Sequence, residues 1–173
     1  YKDGVFQFET FCLETNEYFN RNTAYKIEGI SDYATGGGAG FDESDGQSDG
    51  TKDYLSSQTR WLFYSFATDP GSLDYQNDNA DAKLLQEAIW YFETELTSYN
   101  AGANKFITAA NSADTSSSML DYVKVLNLFD ASGNYKQDQL YLKPVPEPAT
   151  MLISGIFLVG AGFFVRRKLH GNS

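Results

Sequence analysis

The C-terminal end constrains this chain of 173 residues more than any other feature. Residues 149–165 are 17 uncharged, mostly apolar residues, preceded by three prolines and followed by Arg166, Arg167 and Lys168. As a helix the run would reach about 25 Å, the short end of a bilayer span. We therefore predict a Pro-rich linker over 144–150, a transmembrane helix over 151–165 and a basic cytoplasmic tail over 166–173. A buried core helix is the alternative, which the absence of a polar face disfavours.

Three ordered parts of this end resemble the PEP-CTERM sorting signal of Gram-negative bacteria. They are Pro146-Glu147-Pro148, the apolar run, and the basic residues 166–168. The resemblance implies an exported protein whose tail the membrane transpeptidase exosortase removes. It places the chain first in the inner membrane and afterwards at the cell surface or in the extracellular matrix. Because the chain begins with Tyr1 rather than Met, we expect it to be a mature or trimmed form.

Charge separates the two parts of the chain. Residues 1–143 carry 22 acidic and 10 basic side chains, a net charge of −12, whereas residues 144–173 carry +2. A nucleic-acid partner requires clustered Lys and Arg, so we predict none for residues 1–143. An acidic surface instead suits a soluble extracellular domain. We therefore predict that residues 1–143 form one exported domain.

The scarcity of cysteine and histidine excludes most familiar enzyme chemistries. Cys12 is the single cysteine and His170, in the tail, is the single histidine. This excludes an internal disulfide, a Cys-cluster zinc site and catalysis by Ser-His-Asp or Cys-His groups in the domain. The glycines at 36–40 lack the spacing of a dinucleotide-binding loop, and no phosphate-binding loop is present. We predict no cofactor and no metal centre.

Hydrophobic periodicity predicts strands, then helices, then strands. The predicted strands are 4–13, 25–30, 122–129 and 135–142, and the predicted helices are 54–67, 81–96 and a shorter one around 106–113. Asn79 is the predicted N-cap of the second helix. This order predicts an α+β domain in which N- and C-terminal strands form a β-sandwich or barrel and the helices are inserted between them.

Residues 31–53 are rich in Gly, Asp and Ser, which predicts a long mobile acidic loop. Asp45, Gln47, Asp49 and Gly50 match the first half of an EF-hand loop, but Ser56 stands where a bidentate Glu is needed. A solvated loop is therefore favoured over a calcium site. A structural protein with a calcium-ordered loop is retained as a third hypothesis.

Cys12 is the one reactive side chain that this composition leaves in the domain. A buried, inert thiol is its ordinary role. A free thiol in an oxidising extracellular space is nevertheless unusual. A cysteine can instead be acylated by a glutamine side chain with loss of ammonia, which gives an internal thioester. That chemistry needs one Cys, one Gln and a dry site, and no His or metal.

Three short motifs resemble, in order, those of the bacterial surface thioester domains of adhesins. They are Phe11-Cys12-Leu13-Glu14, Leu85-Gln86-Glu87-Ala88-Ile89-Trp90 and Asp138-Gln139-Leu140-Tyr141. The resemblance implies a bond between Cys12 and Gln139, with Gln86 and Trp90 supporting the site. It also implies covalent attachment to an amine on a surface or matrix partner, by a single-use binder rather than an enzyme. Leu85 departs from the family, which has Thr before the Gln.

The thioester hypothesis requires that the first and last strands be neighbours. Gln139 and Tyr141 would then share one face of the last strand. Gln86 is the alternative acyl donor, or its amide hydrogen-bonds nearby backbone. We predict that Phe11, Trp90 and Tyr141 keep water out.

The alternative function is non-covalent binding of matrix or polysaccharide with an inert Cys12. Aromatic residues that could line a sugar groove recur at helical spacing, which favours a core instead. These residues are Trp61, Phe63, Tyr64, Phe66, Trp90, Tyr91 and Phe92.

Overall fold

The computed structural model describes residues 9–20, 23–35 and 52–144. The chain divides into two units, Tyr1–Lys143 and Pro144–Ser173. The strands are β1 (Lys26–Ser31), β2 (Tyr33–Thr35), β3 (Lys52–Tyr54), β4 (Val123–Phe129) and β5 (Tyr135–Leu142). The helices are α1 (Ser57–Thr68), α2 (Asn79–Phe92) and α3 (Asn104–Ser112), with short 3₁₀ turns at Pro70–Leu73, Ala101–Ala103 and Ser118–Tyr122.

The predicted α+β class is confirmed, with antiparallel sheets and three helices in the described ranges. β1, β4 and β5 form a three-stranded sheet in that order, and β2 pairs with β3 in a separate sheet. No closed barrel or sandwich is formed by the described residues. The reason is strand length, because β2 and β3 have three residues each and pair with one another rather than extending the main sheet.

The C-terminal hairpin agrees closely with its prediction. β4 and β5 pair antiparallel across residues 130–134. The Asp130 carboxylate accepts the amide protons of Ser132 and Asn134, at 2.8 and 3.0 Å, and Gly133 has φ +82°. A glycine suits that left-handed position because it has no Cβ. The hairpin therefore fixes the strand that carries Gln139.

The prediction of a loop over residues 31–53 is wrong at both ends. Ser31 belongs to β1, and Tyr33 and Tyr54 begin the pairing of β2 with β3. Strands of three residues are too short to show a periodicity, which is why the sequence did not reveal them. Residues 36–51, with the calcium-like residues Asp45, Gln47, Asp49 and Gly50, lie outside the described residues.

Helix boundaries differ from prediction because of particular side chains. α1 begins at Ser57, since Ser56 is its N-cap and accepts the amide proton of Thr59 at 3.1 Å. α2 begins at Asn79, so that Asp78 rather than Asn79 caps it, by accepting the amide proton of Asp81 at 2.8 Å. It ends at Phe92, four residues before the predicted end, and Thr94 lies at φ 57°.

The core lies between the helices and the sheet. α1 contacts β4 and β5, and all three helices contact one another. Fully buried side chains include Phe63, Leu85, Phe106, Val125 and Leu140. The core interpretation of the aromatic set is confirmed for Trp61, Phe63, Tyr64, Phe66, Tyr91 and Phe92, which belong to the core or pack against it.

Residues 4–8 of the predicted first strand and the predicted transmembrane helix 151–165 lie outside the described residues. Within the described ranges, no helix is long and apolar enough to cross a membrane.

Candidate functional site

Cys12 and Gln139 lie opposite each other on two antiparallel segments. Residues 11–13 meet β5 at an isolated bridge that joins these two residues. The amide of Leu140 donates to the carbonyl of Phe11 at 3.0 Å, and the amide of Leu13 donates to the carbonyl of Asp138 at 3.1 Å. Because the flanking residues make these bonds, Cys12 and Gln139 form a non-hydrogen-bonded pair. Opposite side chains are closest in that arrangement.

The two side chains are in contact. Nε2 of Gln139 lies 3.3 Å from Sγ of Cys12, and Oε1 lies 3.8 Å from it. The same nitrogen donates to the carbonyl of Gln137 at 3.1 Å. Gln139 is buried, and Cys12 is half-buried. The carboxamide is therefore held against the sulfur, and Cys12 as a residue keeps partial access to solvent.

Gln86 on α2 holds the backbone of Cys12. Its Oε1 accepts the Cys12 amide proton at 2.8 Å, and its Nε2 donates to the Cys12 carbonyl at 2.7 Å. In a non-hydrogen-bonded pair these two groups point away from the partner strand and need other partners. The Gln86 carboxamide supplies both, as a neighbouring strand would. Its two polar atoms are thus occupied by backbone.

A β-bulge directly precedes Gln139. The β4–β5 register shifts so that two β5 residues, of which Asp138 is the second, face Asn127 alone. The Asp138 carboxylate accepts the amide protons of Leu128 at 2.7 Å and of Thr35 at 2.9 Å, and an Nδ2 proton of Asn127 at 2.9 Å. A bulge changes the direction of the side chains that follow it. The Asp138 contacts fix this bulge and therefore the position of Gln139.

A buried carboxyl pair lies under the site. Glu14 is fully buried, and its Oε2 accepts the amide proton of Asp138 at 2.9 Å. Burial, and then the charge of Asp138, raises the pKa of Glu14 to about 9. Burial raises the pKa of Asp138 to about 6, while its three donors lower it. Glu14 is therefore neutral near pH 7, and Asp138 carries the charge.

The thiol of Cys12 stays protonated near neutral pH. Burial raises its pKa, and the hydrogen bond from Gln139 opposes that effect. A thiol whose pKa is raised is a weaker acid and its thiolate a poorer leaving group. A thioester at this sulfur would accordingly release its thiolate slowly.

The three predicted shielding residues occupy different environments. Phe11 is 6% exposed and packs edge-on against Phe66, with ring centroids 4.9 Å apart, so it belongs to the core. Trp90 is half-buried one helical turn beyond Gln86, and its Nε1 is buried without a hydrogen-bond partner within the described ranges. Tyr141 is half-buried in β5, opposite Lys124. Their role in excluding water stays a prediction.

Sequence reasoning assigned no role to Glu14, Asp138 or Asn127. Glu14 follows Phe11, Cys12 and Leu13, and an acidic residue is unusual in such an apolar segment, which could have identified Glu14 as a buried group. Asp138 lies between two glutamines and gives no such signal. The bulge opposite Asn127 leaves no periodicity to read. No group of three or more Cys, His, Asp or Glu side chains suited to a metal ion occurs in residues 9–20, 23–35 and 52–144.

One comparison identifies the C-terminal end. Residues 144–168 match the family model of the PEP-CTERM protein-sorting motif. Neither the curated proteins nor the solved structures searched give a match to the chain. The thioester-domain resemblance stays a prediction. The described residues do not include the predicted sorting residues Pro146, Glu147, Pro148, Arg166, Arg167 and Lys168. The chain therefore carries a PEP-CTERM sorting motif, which implies an exported protein processed by exosortase.

Proposed function

We propose that residues 1–143 form a single-use covalent binder that attaches to an amine-bearing surface or matrix partner through a Cys12–Gln139 thioester. The observation that carries this proposal is the contact between the Cys12 sulfur and the Gln139 carboxamide, 3.3 Å at Nε2 and 3.8 Å at Oε1. Because both polar atoms of the carboxamide lie close to the sulfur, the carbon bonded to them is also held near Sγ, and such proximity accelerates a reaction between two groups.

Formation of the bond needs no outside reactant. Sγ of Cys12 attacks the carboxamide carbon of Gln139, so that a C–S bond forms and the C–N bond breaks. The proton of the thiol passes to the leaving nitrogen, which departs as ammonia. Nε2 lies 3.3 Å from Sγ, and it can accept that proton once attack on the carbon has converted the amide nitrogen to an amine.

Attachment then transfers the acyl group to the partner. The neutral amine attacks the same carbon, an amide bond forms, and the C–S bond breaks. The amine proton goes to the sulfur, which returns to a thiol. No step regenerates the thioester, so each molecule reacts once. The partial exposure of Cys12 gives an amine one side from which to approach, while Gln139 stays buried.

Gln139 suits the acyl donor better than Gln86. Both polar atoms of the Gln86 carboxamide are hydrogen-bonded to the Cys12 backbone, and replacing its nitrogen by sulfur would remove one of these bonds. Gln139 would also lose one bond, from its Nε2 to the carbonyl of Gln137, but its carboxamide already contacts the Cys12 sulfur. In this proposal Gln86 holds the nucleophile and Gln139 supplies the acyl group.

The test is the intact mass of the full-length chain before and after methylamine. The wild-type chain should be lighter than its sequence mass by one ammonia, and methylamine should add to it at Gln139, as fragmentation would locate. Cys12→Ala and Gln139→Ala should have full mass and take up no methylamine. A methylamine adduct at Gln86 instead of Gln139 would show that Gln86 is the acyl donor.

A second function is favoured by the raised pKa of the Cys12 thiol. Such a thiol can be an inert core group in a protein that binds matrix or polysaccharide without a covalent bond. Full wild-type mass together with a thiol that reacts with an alkylating agent after unfolding would select this function over the thioester.

A further inference from the structure

Glu14 bonds the Cys12 segment, residues 10–14, to β5 at the bulge. Its Oε2 accepts the amide proton of Asp138 at 2.9 Å, and its carbonyl oxygen accepts a proton from Nε2 of Gln137. Glu14 is also the last buried residue of the segment, because residues 15–20 are half-buried or exposed. Glu14 therefore holds the C-terminal end of the segment on the bulge of β5.

The Glu14 carboxyl has fewer hydrogen-bond donors than its charged neighbour. Glu14 is fully buried, and its Oε1 has no hydrogen-bond partner among the described residues. The carboxylate of Asp138, by contrast, accepts three protons, from Leu128, Thr35 and Asn127. A buried carboxylate needs several donors or a cation to stabilise its charge. The geometry therefore makes Asp138 the charged member of the pair and Glu14 the neutral one.

The ionisable groups around Glu14 offer it no counter-charge. They are Asp138 and Lys136 on β5, Glu17 and Cys12 on its own stretch of chain, and Glu95 after α2. Asp138 and Glu17 raise the pKa of Glu14 through their negative charge. Lys136 is the one cation among these groups, and its ammonium is paired with the Asp130 carboxylate at 3.3 Å. A negative charge on Glu14 would therefore be buried beside like charges.

We infer that Glu14 is a positioning residue whose neutral carboxyl keeps Cys12 paired with Gln139, and that its ionisation at alkaline pH separates this pair. An ionised carboxylate is stabilised by water, and Glu14 reaches water when the end of its segment moves away from β5 towards the exposed residues that follow. This movement breaks the bond from the Leu13 amide to the carbonyl of Asp138, one of the two backbone bonds that flank the pair. The pairing does not depend on the thioester, whereas the consequence that thioester formation stops at alkaline pH rests on the proposed function.

Nuclear magnetic resonance of the full-length Cys12→Ala chain measures this pairing where no thioester can form. The Cα atoms of a non-hydrogen-bonded antiparallel pair lie about 4.5 Å apart, so their α-protons give a strong nuclear Overhauser effect. The effect between positions 12 and 139 should be strong at about pH 7 and lost at about pH 10, above the pKa of about 9 for Glu14. Its loss should follow the chemical shift of the Glu14 carboxyl carbon with the same midpoint, while the signals of α1 keep their native positions.

Glu14→Gln in the same background tests whether this carboxyl is the cause. Glutamine has the shape of the neutral acid, can accept the Asp138 amide proton and does not ionise, so the effect should persist at both pH values. Glu93→Gln is the matched control, because Glu93 is also buried but accepts the amide and hydroxyl protons of Ser56. The control should lose the effect at alkaline pH, as its parent does.

The inference would be overturned by an effect that persists at alkaline pH in the parent, that is absent at neutral pH, or that is lost in Glu14→Gln. A loss whose midpoint differs from that of the Glu14 carboxyl carbon would also overturn it, and this comparison needs no variant of Glu14. The proposed function is judged separately by the mass of the wild-type chain, so failure of one is distinguishable from failure of the other.

Discussion

Replacing Gln86 with methionine should reduce the free energy of unfolding by about 2–4 kcal/mol. The change removes two hydrogen bonds, at 2.8 and 2.7 Å, and leaves the amide and carbonyl of Cys12 without their partner. An unsatisfied buried backbone group costs about 1–3 kcal/mol. Because Cys12 is only half-buried, water reaches part of this site and the lower half of that range applies. Methionine keeps the length and helix propensity of glutamine, so other contributions are small.

Urea unfolding of the full-length chain measures this difference, with Gln58→Met as the matched control. Gln58 lies in α1, and its side chain accepts a hydrogen bond from the neighbouring Ser57. The control should change stability by less than about 0.5 kcal/mol. Hydrogen exchange gives a local readout, because the amides of Leu13 and Leu140 bridge the Cys12 segment and β5.

The amides of Leu13 and Leu140 should exchange faster in Gln86→Met than in the control, because Cys12 loses its hydrogen bonds to α2. The reasoning would be refuted if Gln86→Met were no less stable than Gln58→Met. It would also be refuted if the amides of Leu13 and Leu140 stayed equally protected in both variants.

Two further predictions concern the groups around the site. The pKa of Glu14 is 4.5 in the unfolded chain and about 9 in the folded chain. Its contribution to the free energy of unfolding is therefore fully present below pH 4.5 and is lost as the pH rises to about 9. This contribution to the free energy of unfolding falls by up to about 1.4 kcal/mol per pH unit. In urea unfolding, Glu14→Gln should therefore reduce the change of unfolding free energy with pH between about pH 5 and pH 7. An unchanged pH dependence would contradict a neutral Glu14. Leu85→Ala should cost about 2–5 kcal/mol because Leu85 is fully buried. The exposed change Lys83→Ala should cost less than about 0.5 kcal/mol, and equal losses would contradict the assignment of the α2 core face.

Long, periodic elements of this fold could be predicted from the sequence. β5 has its predicted boundaries, because the turn over residues 130–134, which contains Gly133, marks where the strand begins. The apolar spacing predicts α2, but its N-cap is Asp78, one residue before the predicted Asn79. Asp78 and Asn79 are both good caps, and only tertiary contacts decide between them. β2 and β3 depend on pairing across a long sequence separation, which local patterns do not encode.

The site was predictable in part for a different reason. Cys12 stands out because it is the single cysteine of the chain, whereas the choice of Gln139 follows only from the resemblance to the thioester domains. The bulge at Asn127 was hidden, since it arises from a register shift between two strands. The neutral state of Glu14 was hidden as well, because burial sets its pKa and burial depends on the completed fold.

The most direct test of the central claim is a proteolytic digest of the full-length chain at acidic pH, followed by fragmentation mass spectrometry. We predict one cross-linked species that contains Cys12 and Gln139 and is lighter by one ammonia than its two peptides. Methylamine treatment before digestion should release the two peptides and leave the methylamide on Gln139. Two separate peptides of unmodified mass, with Cys12 alkylated by iodoacetamide, would contradict the account.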